Sequence, residues 1–244
     1  MIKNKIFAPL AGLLLLLVAG SLLAESGRTQ IHANANLVQP VLPGMQAPGF
    51  SVKDVNGNTV SYDPARMEKP VILTFFRGGW CPYCNLHLAE LRKSEQALKD
   101  MGFDIWFISI DRPEMLYSSL EDSDIGYTIY SDSGLDATRA FGLAFRVDDE
   151  TVERYLGYDI DLEEASGEEH HVMPAPSTYL IGSDGIIRFQ YTNPDYKVRL
   201  APEVLMAAAE AYTADVDARL EREFKKYMES LTPQDQGKEE GNKH

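Results

Sequence analysis

The stretch Val71-Ile72-Leu73-Thr74-Phe75-Phe76-Arg77-Gly78-Gly79-Trp80-Cys81-Pro82-Tyr83-Cys84 decides how this chain folds. Val71 to Phe76 is an unbroken run of apolar, β-favouring residues, which predicts a strand covered on both faces. Arg77-Gly78-Gly79 interrupts it. Pro82 is tolerated early in a helix because its missing N–H has no partner to lose there. Leu88, Leu91, Leu98 and Met101 then keep helical spacing up to Gly102, a glycine cap. Phe103-Asp104-Ile105-Trp106-Phe107-Ile108-Ser109-Ile110 is a second buried strand. Strand, helix, strand implies a parallel pair joined by a right-handed crossover, and so an α/β domain with one core.

Toward the N-terminus, Phe50–Val55 and Thr59–Tyr62 flank Asn56-Gly57, the strongest short hairpin signal. Residues 25–43 are polar with Asn34, Asn36, Pro40 and Pro43, and read as a linker or arm. Toward the C-terminus, a short helix after Pro113, a strand near Tyr127–Tyr130 and a helix near Leu135–Phe141 are expected. Residues 146–171 hold ten acids, among them Asp148, Glu153 and Glu164, and read as a solvated insertion. Thr178–Ile181 and Ile186–Tyr191 pair around Ser183-Asp184-Gly185. Ala201 to Leu231 reads as one long helix. Its apolar stripe of Val216, Leu220, Phe224, Tyr227 and Met228 is expected to pack on the sheet, with a dimer contact as the alternative for its distal half. The domain spans 44–231, and 232–244 is a polar tail.

Residues 1–24 carry Lys3 and Lys5, an apolar core from Ile6, and Ala24 before the first acid, Glu25. This describes a secretory signal peptide. An uncleaved anchor over residues 6–24 is the competing reading. Either places the body outside the cytoplasm, periplasmic or secreted, where dithiols persist oxidised.

The chain's 244 residues, 44% hydrophobic and 25% charged, are ordinary globular composition. A net charge of −14 argues against nucleic acid as a partner. With only two cysteines, a disulfide-dense scaffold and a four-thiolate zinc or iron–sulfur site are excluded. What remains is one local pair, Cys81 and Cys84, in the first turn of a helix. Unpaired backbone N–H groups and the helix dipole there stabilise a thiolate, and a thiol three residues on can resolve what the first one captures. As a mere staple the pair would contribute little, about 2 kcal/mol for so short a loop. A metal site from Cys81, Cys84 and His87, with His170 or His171, is the other alternative. Glu168-Glu169-His170-His171 reads as solvated, or as a border of the reactive centre. Asn85 stands where covalent haem attachment needs a histidine. With no nucleotide-binding fingerprint, no cofactor or metal is expected, and electrons must come from another dithiol.

The strand, Cys-x-x-Cys, helix and strand, followed by Ala175-Pro176-Ser177-Thr178-Tyr179-Leu180-Ile181, resemble the thioredoxin fold. That resemblance implies a central mixed sheet flanked by helices. It also implies a cis-proline against the dithiol, matched by Pro176, with Pro174 as the alternative. Gly44-Met45-Gln46-Ala47-Pro48-Gly49-Phe50, the dithiol phrase itself and Asn193-Pro194-Asp195-Tyr196-Lys197-Val198-Arg199-Leu200 are similar to the peroxiredoxin-like branch of the AhpC/TSA superfamily. The likeness covers about residues 44–212. In its register Cys84 falls on the peroxidatic cysteine, while the family's threonine, proline and arginine become Cys81, Arg77 and Pro176. The two families imply opposite roles. As a thioredoxin, Cys81 attacks and Cys84 resolves; as a peroxiredoxin, Cys84 is oxidised and Cys81 resolves. The first is preferred, because the earlier cysteine at a helix start is usually the more exposed, with Arg77 adding positive charge and Trp80 shielding the pair. The expected activity is thus thiol–disulfide exchange with a protein redox partner, with peroxide reduction next and a non-catalytic binding module third.

Overall fold

The computed structural model describes residues 27–116, 128–214 and 216–231. The expected signal peptide or anchor and the polar tail lie outside these residues. Strands β1 (Phe50–Lys53), β2 (Thr59–Tyr62), β3 (Val71–Phe75), β4 (Asp104–Ser109), β5 (Thr128–Ser131), β8 (Ser177–Ile181) and β9 (Ile187–Thr192) make one sheet ordered β2-β1-β5-β4-β3-β8-β9. Strand β3 runs parallel to β4, and β4 to β5, while β8 returns antiparallel beside β3. The sheet is mixed, as the resemblance implied. A separate two-stranded sheet pairs β6 (Ala144–Arg146) with β7 (Val172–Pro174).

Every residue of β3 is buried, which is why its sequence runs apolar without alternation. The pleat sends Ile72 into one core with Phe107, Leu180, Leu88 and Leu91, and Leu73 and Phe75 into the other with Tyr179 and Phe141. The β1–β2 hairpin forms where expected. Asp54 accepts hydrogen bonds from the backbone N–H of Asn56 and Asn58, and Gly57 takes a φ of 79° that favours glycine.

After β3 the chain turns into helix α1 (Pro82–Arg92), then α2 (Glu95–Asp100). The sequence predicted one helix here. It breaks at Lys93-Ser94, where the N–H of Lys93 bonds back to Glu90 and the turn tightens. Helix α3 (Asp136–Ala140) is held by Asp132, whose carboxylate accepts the N–H groups of Ala137 and Thr138.

Three further expectations need correction. Residues 146–171 are not simply solvated: they form helices α4 (Asp149–Leu156) and α5 (Leu162–Ser166) and bury Val147, Leu162 and Ala165. The acids face solvent while Val152, Tyr155 and Ile160 pack against Ile110, Met173 and Trp80. Residues 27–43 are packed rather than a free linker, because His32, Gln39 and Val41 donate backbone hydrogen bonds to Ala144, Gly142 and Phe141. The long terminal helix is two, α6 (Pro202–Thr213) and α7 (Val216–Leu231). Only α6 packs on the core, through Leu205 and Ala209. Leu220, Phe224 and Tyr227 on α7 stay 57–63% exposed, so the expected packing of that stripe on the sheet does not occur.

Candidate active site

Strand β3 delivers the chain into a loop that would be costly to leave unsupported. Asp111, just beyond β4, accepts the Gly79 N–H at 2.7 Å and the Ser109 hydroxyl at 3.2 Å. A Cβ at Gly78 would stand 2.3 Å from Trp80 Nε1 and 2.6 Å from Asp111 Oδ1, so only glycine fits. Burial pushes the Asp111 carboxyl up to about 7 against the hydrogen bond from Gly79. Asn85 closes the loop from the other side by donating to the Gly79 carbonyl at 2.8 Å.

The helix begins where the sequence predicts. Cys81 occupies the N-cap with extended backbone, Pro82 opens the first turn, and the N–H groups of Cys84 and Asn85 bond back to the Cys81 carbonyl. Cys81 is 1% exposed and Cys84 0%. The earlier cysteine is the more exposed of the two only by that margin: it lies in the core with Cys84, Phe76, Leu88 and Leu200, and Trp80 and Tyr196 pack against that cluster. Both cysteines are free thiols.

Each sulfur has its own arginine. Arg77, itself buried, directs Nη1 to Cys81 Sγ at 3.7 Å, and Arg199 directs Nη2 to Cys84 Sγ at 3.3 Å. Arg77 was expected to add charge here; Arg199 was not singled out by sequence reasoning. It lies 115 residues from Cys84 in the chain and reaches it because Leu200 is tied to His87, whose Nε2 sits 3.1 Å from the Leu200 carbonyl. Burial, with Arg199 beside it, pushes His87 down to about 4, so the ring is neutral and donates that bond.

The two thiols are driven apart. The Cys84 thiol hydrogen-bonds to Cys81, and together with Arg77 this holds Cys81 down at about 6 despite its burial. Burial pushes Cys84 well above its ordinary value, and donating to Cys81 holds its proton further. The arrangement is one thiolate and one thiol in hydrogen-bond contact.

Other expected residues have narrower roles. Trp80 packs against the cluster that holds both cysteines, its ring tilted against Tyr155 with centroids 5.8 Å apart. Pro176 lies with Arg77, Tyr155, Tyr196, Met173 and Phe145 around a cavity of about 190 Å³ that reaches the dithiol's surroundings through Arg77. Its peptide bond is trans, like every other among the described residues, so the cis-proline implied by the thioredoxin resemblance is absent at both Pro174 and Pro176. His170 meets the Ser133 carbonyl and His171 pairs with Glu163, so neither approaches the dithiol, and no metal-binding cluster occurs among the described residues.

A dithiol at the start of a helix, on a central strand of a mixed sheet, defines a thiol oxidoreductase of thioredoxin-like fold. The model of the AhpC/TSA family matches residues 43–190, and the chain belongs to that family. It is 29% identical over 106 residues to peroxiredoxin Bcp of Escherichia coli, covering 43% of this chain and 67% of the relative. It is 26% identical over 159 residues to the chloroplastic peroxiredoxin Q of Suaeda salsa, covering 65% of this chain and 64% of the relative. The peroxidoxin BcpB of Mycobacterium tuberculosis superposes with a TM-score of 0.53 at 16% identity, over 69% of this chain and 96% of that one. Peroxiredoxin Q of Xanthomonas campestris does so at 0.52 and 15%, over 72% and 98%. The fold expectation is borne out.

Proposed function

We propose that the chain is a dithiol thiol peroxidase in which the Cys81 thiolate attacks a peroxide and Cys84 resolves the product. One observation carries this reading: the sulfur held as a thiolate is buried, 1% exposed, and the Arg77 that contacts it lines a cavity of about 190 Å³. A protein disulfide must bring its own backbone to the attacking sulfur; a peroxide need only diffuse in. The preference for protein disulfide exchange rested on Cys81 being the more exposed thiol, and at 1% against 0% that difference gives a protein disulfide no opening. The similarity to proteins named peroxiredoxins agrees with the change.

In the first step the Cys81 thiolate attacks the distal peroxide oxygen, and an S–O bond forms to it. The O–O bond breaks, Cys81 becomes a sulfenic acid, and the departing alkoxide or hydroxide takes a proton to leave as alcohol or water. Arg77 is placed to compensate the charge as it moves from sulfur to oxygen. Cys84 then attacks the sulfenic sulfur, losing its proton, and water leaves as the Cys81–Cys84 disulfide forms. An external dithiol restores the pair by two thiol–disulfide exchanges. The N-terminal segment supports an extracytoplasmic setting, so this reductant would be a dithiol exported or anchored likewise.

A second reading has Cys84 attacked first, as in the register of the family. It is favoured by Arg199, whose Nη2 is closer to its sulfur than Arg77 Nη1 is to Cys81. The two are separated by exposing Cys81→Ser and Cys84→Ser to one equivalent of peroxide with a sulfenic-acid probe. Probe on Cys81 in Cys84→Ser, with none in Cys81→Ser, is the expected result; the reverse pattern establishes the second reading.

A further inference from the structure

The insertion places a tyrosine on the arginine that serves Cys81. Arg77 is 3% exposed and has few ways to be held. Its Nε points to Met173 Sδ at 3.4 Å, a weak acceptor, and its Nη1 to Cys81 Sγ at 3.7 Å, a charged but diffuse and longer contact. Its Nη2 donates to the Tyr155 hydroxyl. The guanidinium also lies 5.5 Å from the Tyr155 ring, 5.0 Å from Trp80 and 4.0 Å from Tyr196. Aromatic faces hold a cation over a broad area without fixing its rotation; the oxygen acceptor fixes the fork.

We infer that Tyr155 is a positioning residue, which aims the Arg77 guanidinium at Cys81 and makes the helical insertion part of the thiolate-stabilising machinery. This rests on the reading of Cys81 as the thiolate.

Two features of the insertion support it. First, α4 is built to hold Tyr155 still. Asp148 caps it by accepting from the Thr151 N–H at 2.8 Å and the Thr151 hydroxyl at 2.9 Å, and Val152 packs beside Tyr155 against Ile110 and Met173. Second, the residue type matches the task. A carboxylate on Arg77 would cancel the field it exerts on the sulfur, whereas a neutral hydroxyl orients the cation and leaves its charge acting on Cys81. Burial raises the Tyr155 phenol, which keeps it neutral. In a segment of ten acids, the side chain that meets Arg77 is this uncharged one. The charged or titratable groups acting on Cys81 are Arg77, Arg199, Cys84 and, from beneath the loop, Asp111; only Arg77 is bonded to the insertion.

The test is the pH profile of Cys81 alkylation by iodoacetamide in the reduced full chain, with the labelled site read by mass spectrometry. Tyr155→Phe keeps the ring and its packing but removes the acceptor oxygen. It should raise the Cys81 midpoint by about half a unit, slowing alkylation at pH 6 roughly twofold while leaving the high-pH plateau unchanged. In an Arg77→Met background the same change should do nothing further. A midpoint that stays put in Tyr155→Phe, or an equal shift with Arg77 already absent, overturns the proposal. A parent chain whose Cys81 titrates at an ordinary thiol value overturns the underlying reading instead. Tyr155→His, which keeps a ring and a hydrogen-bonding nitrogen, should recover part of the shift.

Discussion

The two halves of the dithiol are built from the same parts and reach opposite states. Cys81 has Arg77 at 3.7 Å and Cys84 has Arg199 at 3.3 Å, yet the first is held as a thiolate and the second as a thiol. Distance to a cation does not decide the outcome. Depth of burial does, together with the hydrogen bond between the sulfurs: Cys84, on the buried face of helix α1, keeps its proton and gives it to the shared contact. The lesson is a division of labour. One arginine stabilises an attacking anion, and the other waits for a thiol that becomes anionic only when it resolves the intermediate.

The largest effects should come from the sulfurs themselves. Cys81→Ser should lower peroxide turnover by about 10³-fold or more, because no other thiolate stands ready. Cys84→Ser should still consume one equivalent of peroxide and then stall as the Cys81 sulfenic acid, which a dithiol-coupled turnover assay separates from the first loss. Equal, partial losses would mean that the halves are interchangeable and the division is wrong.

The arginines give the next largest contrast. Arg77→Met should raise the Cys81 midpoint by about one unit and slow its alkylation near pH 6 about fivefold. Arg199→Met should change that rate less than about threefold, since Arg199 acts on Cys81 only at longer range, and should instead slow closure of the disulfide after a peroxide pulse. If stopped-flow fluorescence of Trp80 showed closure slowed by Arg77→Met and unaffected by Arg199→Met, the assignment would be inverted.

Acid stability offers a smaller and oppositely signed pair. Under Cys81, Asp111 is pushed up to about 7 from its ordinary 3.8. The folded chain keeps that proton longer than the unfolded one, so this group erodes stability as pH rises from about 4 to about 7. Beside Cys84, His87 is pushed down to about 4 from 6.5. There the unfolded chain takes up the proton first, so stability is lost as pH falls from about 6.5 to about 4. In urea melts at fixed pH, Asp111→Asn should remove the first slope. His87→Gln, which keeps a donor for the Leu200 carbonyl, should remove the second. Each change is on the order of 2 kcal/mol across its window. Slopes of the same sign for both variants would contradict the burial assigned to one of them.

Much of this was legible in the residues. The run Val71–Phe76 reads as a central strand because burial on both faces removes alternation, and Cys81-Pro82 reads as a helix start because each residue suits its position there. Arg199 was not legible as a site residue. Its contact with Cys84 depends on how the segment after β9 crosses α1, and no local pattern encodes that crossing. Tyr155 was hidden differently: the acids around it dominate the composition, while the apolar positions Val152, Tyr155 and Ile160 carry the packing. The stripe on α7 shows the limit of periodicity, which marks one helix face as apolar without naming what covers it. The burial of Cys81 is hidden for a related reason, since the core around it includes Leu200 and Leu205, far away in sequence.

The account turns on which sulfur is the thiolate. Its most direct test is the rate of iodoacetamide capture at each cysteine of the reduced parent chain, resolved by mass spectrometry from pH 4.5 to 9.5. The prediction is label on Cys81 with a midpoint at about 6, and Cys84 untouched until well above the ordinary thiol range. Label arriving first on Cys84 would contradict it.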